Sequence, residues 1–95
     1  GVPPSGEHTG LFHTAILYPT RKDLAEVFER LRQARYPLTG ASDHGVSEAL
    51  YLDDPDKNGV ELYRDRPRDQ WPRNEDGRLI MYTRPLDLDD LLREV

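Results

Sequence analysis

Two short runs around a polar turn constrain this chain more than anything else in it. "SEALYLDD", Ser47–Asp54, and "GVELYRD", Gly59–Asp65, alternate in polarity and are joined through "DPDKNG". Side chains alternate across a strand, so the two runs predict a β-hairpin. Asp, Pro, Asn and Gly between them are turn formers. The same turn also meets a calcium-loop pattern at Asp54, Asp56, Asn58 and Gly59, with Asp65 closing it. Both flanks, however, alternate like strands, whereas that loop lies between helices. Asp65 also stands where the loop needs a bidentate Glu. The carboxylates therefore read as turn residues that bond to their own backbone.

The rest of the chain supplies a helix to cover such a sheet. "LFHTAILY", Leu11–Tyr18, is apolar, β-branched and aromatic, and stops at Pro19. Thr20 is a good N-cap, with Asp23 where a capping-box acid belongs. Leu24, Val27, Phe28 and Leu31 recur at helical spacing and predict an amphipathic helix from Arg21 to Arg35. Pro37 ends it. "LTGASDH" is a weaker strand with a Gly break. The expected fold is α+β: a single βαβββ module over residues 11–67, after a Pro- and Gly-rich lead-in over residues 1–10. Residues 68–95 form a polar C-terminal extension. Within it "LIMYTRP" reads as a further extended piece. A short helix follows, with Leu88, Leu91 and Leu92 on one face and Asp87, Asp89 and Asp90 near its positive end.

Composition narrows the function classes. The chain has 95 residues, 36% hydrophobic and 33% charged, enough for one small domain with a small core. A partner chain or a metal would add to its stability. The net charge of −5 argues against nucleic acid as a partner. Arg64, Arg66, Arg68 and Arg73 alternate with Asp65 and Asp69 and read as a solvated or salt-bridged arm. There is no cysteine, so disulfides and thiol chemistry are excluded. Apolar runs such as "AIL" reach no more than four residues even when Tyr is counted, so no membrane partner is expected. No signal peptide is visible, and the expected location is cytoplasmic. The chain begins "GVPPSG" without Met, as a processed or partial form would.

Strand parity then places the candidate site. Phe12, Thr14 and Ile16 alternate with His13, Ala15 and Leu17; Leu50 and Leu52 with Ala49 and Tyr51; Val60 and Leu62 with Glu61 and Tyr63. With the apolar sets under the helix, the opposite face carries His13, Tyr51, Glu61 and Tyr63. A His and a Glu there, beside Ala15 and Leu17, are poorly hydrated unless they bind something. Imidazole and carboxylate suit divalent iron, manganese, nickel and zinc. The plainer alternatives are a hydrogen-bonded core histidine and an exposed strand carboxylate.

These residues resemble the glyoxalase/bleomycin-resistance/extradiol dioxygenase group, the vicinal oxygen chelate superfamily. Its unit is a βαβββ module. The extradiol dioxygenase signature runs from a His to an aliphatic–Tyr pair, an acidic or small residue, Pro, a turn and a ligand Glu. Here these are His44, Leu50–Tyr51, Asp54–Pro55 and Glu61, and "HTAILYPTRKDL" is similar to the family's second-ligand strand. Ser42 and Lys57 depart from the pattern. The match runs from Gly10 to Pro67, and "RDRPRDQWPRNEDG" further resembles catechol-2,3-dioxygenase-like members.

The resemblance implies metal ligation by His13 and Glu61, with Fe(2+) expected and Mn(2+), Ni(2+) or Zn(2+) as alternatives. It implies catalytic roles for His44, as a proton-moving residue, and for Tyr51, beside the substrate. The implied partners are a small aromatic diol and O2. The implied activity is extradiol ring cleavage; glyoxalase-type lyase or isomerase activity, and bleomycin-resistance-type small-molecule binding, are the alternatives. The family pairs two modules, so a second βαβββ module is expected, from a missing N-terminal part or a second chain of a homodimer. His8 lies in the lead-in and is no obvious replacement for the missing ligand.

Overall fold

The helix-capping signal at Thr20 organises the first half of the fold. In this computed structural model, which describes residues 14–80 and 82–95, α1 spans Arg21–Gln33. The Thr20 hydroxyl accepts from the Asp23 amide at 3.1 Å and donates to the Asp23 carboxylate at 2.9 Å. The helix ends two residues before the expected Arg35, which takes a positive φ of 56° and turns the chain. The strand before it, β1, is described over Thr14–Leu17. The lead-in 1–10 and the expected start of β1, with Phe12 and His13, lie outside the described residues.

Three strands follow: β2 (Gly40–Asp43), β3 (Ser47–Asp53) and β4 (Gly59–Asp65). The hairpin is present in the expected register, with Leu50 opposite Leu62 and Tyr51 opposite Glu61. Its turn uses the Asp54 carboxylate on its own backbone. Asp54 Oδ1 accepts from the Asn58 amide at 2.8 Å, and the Lys57 amide donates to the Asp54 carbonyl at 2.8 Å. This is the turn chemistry expected of Asp and Asn. β1 then pairs parallel to β4, with Ala15 beside Glu61, so the helix-bearing crossover returns the chain to the sheet.

The C-terminal extension adds less strand than "LIMYTRP" suggested. Among the described residues β5 (Arg84–Pro85) pairs antiparallel to β2, and Leu79 forms an isolated bridge to Arg73. Pro85 has no amide proton to donate, which is tolerated on the sheet's edge. The mixed sheet has the order β1-β4-β3-β2-β5. A short helix, α2 (Leu88–Leu92), follows with Asp87 as its cap. No helix among the described residues is long and apolar enough to cross a membrane.

One sheet face packs under both helices. Leu24, Ala25 and Phe28 of α1 meet Leu50, Leu52 and Leu62 of the hairpin, and Leu86 and Leu91 close the layer from the C-terminal side. Leu24, Leu50 and Leu91 are fully buried; each contributes about 1.5–3 kcal/mol by leaving water. At one end the same face carries charge. Glu48, only 1% exposed, accepts from Arg64 Nε at 2.8 Å and Arg21 Nε at 3.0 Å, with Arg66 Nη2 at 3.4 Å. Arg21 reaches on to Asp90 and Glu94. Burial disfavours the Arg21 charge, but its bonds to Glu48 and Asp90 outweigh this and raise its pKa. Of the expected solvated or salt-bridged arm, Arg64 and Arg66 take the salt-bridged form, to Glu48 and Asp43; Arg64 points inward because even-numbered residues of β4 face the helices.

Candidate functional site

The opposite sheet face is built from the odd-numbered residues of β1, β3 and β4. Tyr51, Glu61 and Ala15 lie side by side across the three strands. The two helices cover the other face, so this row is left partly open. Tyr51 and Glu61 are both half-buried.

His44 joins this row from the end of β2. The β2–β3 connection is tight: the His44 amide donates to the Ser47 carbonyl at 2.8 Å, and Gly45 takes a positive φ of 83°. Asp43 fixes the turn. One of its oxygens accepts from the Gly45 amide at 2.8 Å, and Arg66 grips both oxygens at 2.7 and 3.0 Å. The result is an imidazole with two partners. Nε2 lies 3.0 Å from the Tyr51 hydroxyl, and Nδ1 lies 3.3 Å from the Thr83 hydroxyl. An open cleft of about 430 Å³ adjoins it, lined by His44, Val46, Ser47, Tyr82 and Thr83.

The electrostatics follow from this placement. Burial raises the pKa of the Glu61 carboxyl, and the nearby His44 opposes this. No described side chain hydrogen-bonds the Glu61 carboxylate. Burial also raises the Tyr51 pKa, the Glu61 charge adds to it, and the Ser42 hydroxyl opposes both. Tyr51 therefore remains a phenol able to donate a hydrogen bond. A half-buried carboxylate with no donor among the described residues fits a cation, since a positive charge beside it offsets the cost of desolvation.

Three of the four expected site residues are thus brought together: His44, Tyr51 and Glu61. The fourth, His13, lies outside the described residues. Among the described residues no group of three His, Asp or Glu side chains could hold a metal ion. Thr83 was not expected at the site. Its stretch carries no motif, and no periodicity brings it back to His44.

The chain was compared with known proteins. The model of the Glyoxalase/Bleomycin resistance protein/Dioxygenase superfamily matches residues 1–62. The chain is 48% identical over 93 residues to a protein named catechol-2,3-dioxygenase from Bacillus subtilis (strain 168), covering 98% of this chain and 32% of that protein. It is 43% identical over 56 residues to biphenyl-2,3-diol 1,2-dioxygenase 3 of Rhodococcus globerulus, covering 59% of this chain and 30% of that protein. Biphenyl-2,3-diol 1,2-dioxygenase 2 of the same organism matches at 39% over 56 residues, with the same coverage. The chain spans about a third of the length of these curated relatives. No solved structure matches it.

Proposed function

Because the chain belongs to the glyoxalase/bleomycin resistance protein/dioxygenase superfamily, we propose that it forms one module of a metal-dependent extradiol dioxygenase. The substrate class is a small aromatic diol, cleaved with O2. One observation carries the reading: a half-buried Glu61, without a hydrogen-bond donor among the described residues, beside a hydrogen-bonded His44–Tyr51 pair on one open sheet face. The names of the three relatives, all diol or catechol dioxygenases, support the same choice.

Glu61 and His13 would hold a divalent metal, with Fe(2+) the leading candidate. When bound, such an ion supplies Lewis acidity and a template for the two diol oxygens. The chain's own residues do the rest. His44 brings an imidazole, the side-chain type suited to accepting a diol proton, with Nε2 toward Tyr51. Tyr51, held as a phenol, hydrogen-bonds His44 Nε2 in this structure and turns its hydroxyl to a substrate oxygen when the site fills, which frees Nε2. A second βαβββ module supplies the remaining ligand and closes the site.

The test is turnover. This chain, and any longer polypeptide that contains it, is loaded anaerobically with ferrous iron and given catechol and O2. Ring-cleavage product with matching O2 uptake is expected, and Glu61→Ala abolishes both. No product from any of the iron-loaded forms refutes the reading. Hemithioacetal turnover without O2 uptake indicates a glyoxalase instead. Small-aromatic binding that survives Glu61→Ala, without turnover, indicates a binding module.

A further inference from the structure

His44 is held from a side that the sequence motif does not include. The chain after β4 leaves the sheet, passes through a 3₁₀ turn (Arg68–Gln70) and comes back to the β2–β3 turn. Three contacts fix its return. A Cβ at position 45 would lie 2.9 Å from Pro72 Cγ and 3.0 Å from Tyr82 Cε2, so both side chains rest directly on Gly45. The Arg84 guanidinium lies over the Tyr82 ring, 4.3 Å from its centre. Arg84 and Pro85 then pair with Asp43 and Ser42. Thr83 stands between two pinned neighbours, with its hydroxyl 3.3 Å from His44 Nδ1.

The proton assignment follows from acidity. A phenol, with an ordinary pKa of about 10, is a far better donor than an aliphatic alcohol. A Tyr51 hydroxyl that donates to the imidazole requires the lone pair on Nε2, and Nδ1 then carries the proton that faces Thr83. The longer Nδ1 contact is of the kind that tightens when a site fills. In this tautomer Nε2 is the basic nitrogen, and it faces the row of Tyr51 and Glu61.

We propose that Thr83 is a positioning residue for His44, accepting its Nδ1–H and so fixing the ring orientation and the tautomer that leaves Nε2 basic. Its consequence for catalysis rests on the dioxygenase reading; its consequence for the tautomer does not. Sequence neighbours cannot provide this contact, because Nδ1 points away from the hairpin toward the returning strap. The strap thus joins the C-terminal extension to the chemistry of the module.

The experiment has two arms. Long-range proton–nitrogen correlation spectra of the uniformly labelled full chain report the tautomer of each histidine, and His44→Gln identifies the His44 signals. Wild type should show Nδ1 protonated and Nε2 bare. Thr83→Val, nearly isosteric but without the hydroxyl, should give a mixture of tautomers, and Thr83→Ser should restore the wild-type pattern. In the turnover arm, Thr83→Val should lower kcat about tenfold, as loss of orientation does. KM should change less than about twofold, and Thr83→Ser should recover kcat. An unchanged His44 pattern in Thr83→Val overturns the proposal, as does a serine variant that behaves like valine. Wild-type protein without ring cleavage refutes the dioxygenase reading alone, and the spectral arm then decides the role of Thr83.

Discussion

Replacing Glu48 by Met tests the ionic end of the core. The substitution keeps the side chain's length and removes its charge. Glu48 accepts two bonds from Arg64, at 2.6 and 2.8 Å, and two from Arg21, at 3.0 and 3.3 Å. Arg21 and Arg66 retain other partners in the variant: Asp90 and Glu94 for the first, Asp43 for the second. Arg64 does not. It is 8% exposed, and among the described residues Glu48 is the acceptor of all its side-chain hydrogen bonds. The cost is therefore set by one buried guanidinium that loses its hydrogen-bonded carboxylate and keeps only the nearby Asp43 charge, about 3–5 kcal/mol. A domain of this size loses about 4–8 °C per kcal/mol, so the melting temperature should fall by at least about 12 °C. Urea denaturation followed by circular dichroism and by Trp71 fluorescence measures the loss. The double variant Glu48→Met with Arg64→Met removes the stranded charge and should recover most of it. A loss below about 1 kcal/mol in the single variant refutes the reasoning. So does a double variant no more stable than the single one.

Two further substitutions probe the support beneath His44. Arg66 holds the Asp43 pKa below the usual carboxylate range, so folding favours the charged form. Asp43 thus contributes stability that is present above about pH 4 and lost as the pH falls through its depressed folded value. Asp43→Asn should cost about 2 kcal/mol at neutral pH and show a shallower acid slope, read from urea midpoints between pH 2 and 7; equal slopes contradict the linkage. Gly45→Ala places a Cβ against Pro72 and Tyr82 at a φ of 83° and should cost about 1–3 kcal/mol. It should also shift the Thr83 and His44 resonances together, and movement of neither means that the strap is not seated on Gly45.

How far the sequence reaches depends on the range of the interaction. The hairpin and its parity are local, and they correctly assign Leu50 and Leu62 to the helix side and Tyr51 and Glu61 to the other. The cap at Thr20 is local as well. Glu48 and Arg64 escape such a reading, because a charged residue in an alternating strand looks like a solvent position. They face inward because α1 and α2 bring Arg21, Asp90 and Glu94 to the same end, which no strand pattern encodes. His44 shows both cases in one ring. Its partner at Nε2 is Tyr51, seven residues on along a hairpin, within reach of a motif. Its partner at Nδ1 is Thr83, 39 residues on, beyond an aperiodic segment whose path is set by Pro72, Tyr82 and Arg84 packing on Gly45 and β2. The motif therefore names the nitrogen that meets Tyr51, while the tautomer proposed for the ring rests on a residue the motif does not contain. A variant that keeps every motif residue and loses only the Thr83 hydroxyl should retain the hairpin, the Glu61 row and the Tyr51 contact, and still present the wrong mixture of tautomers to the site.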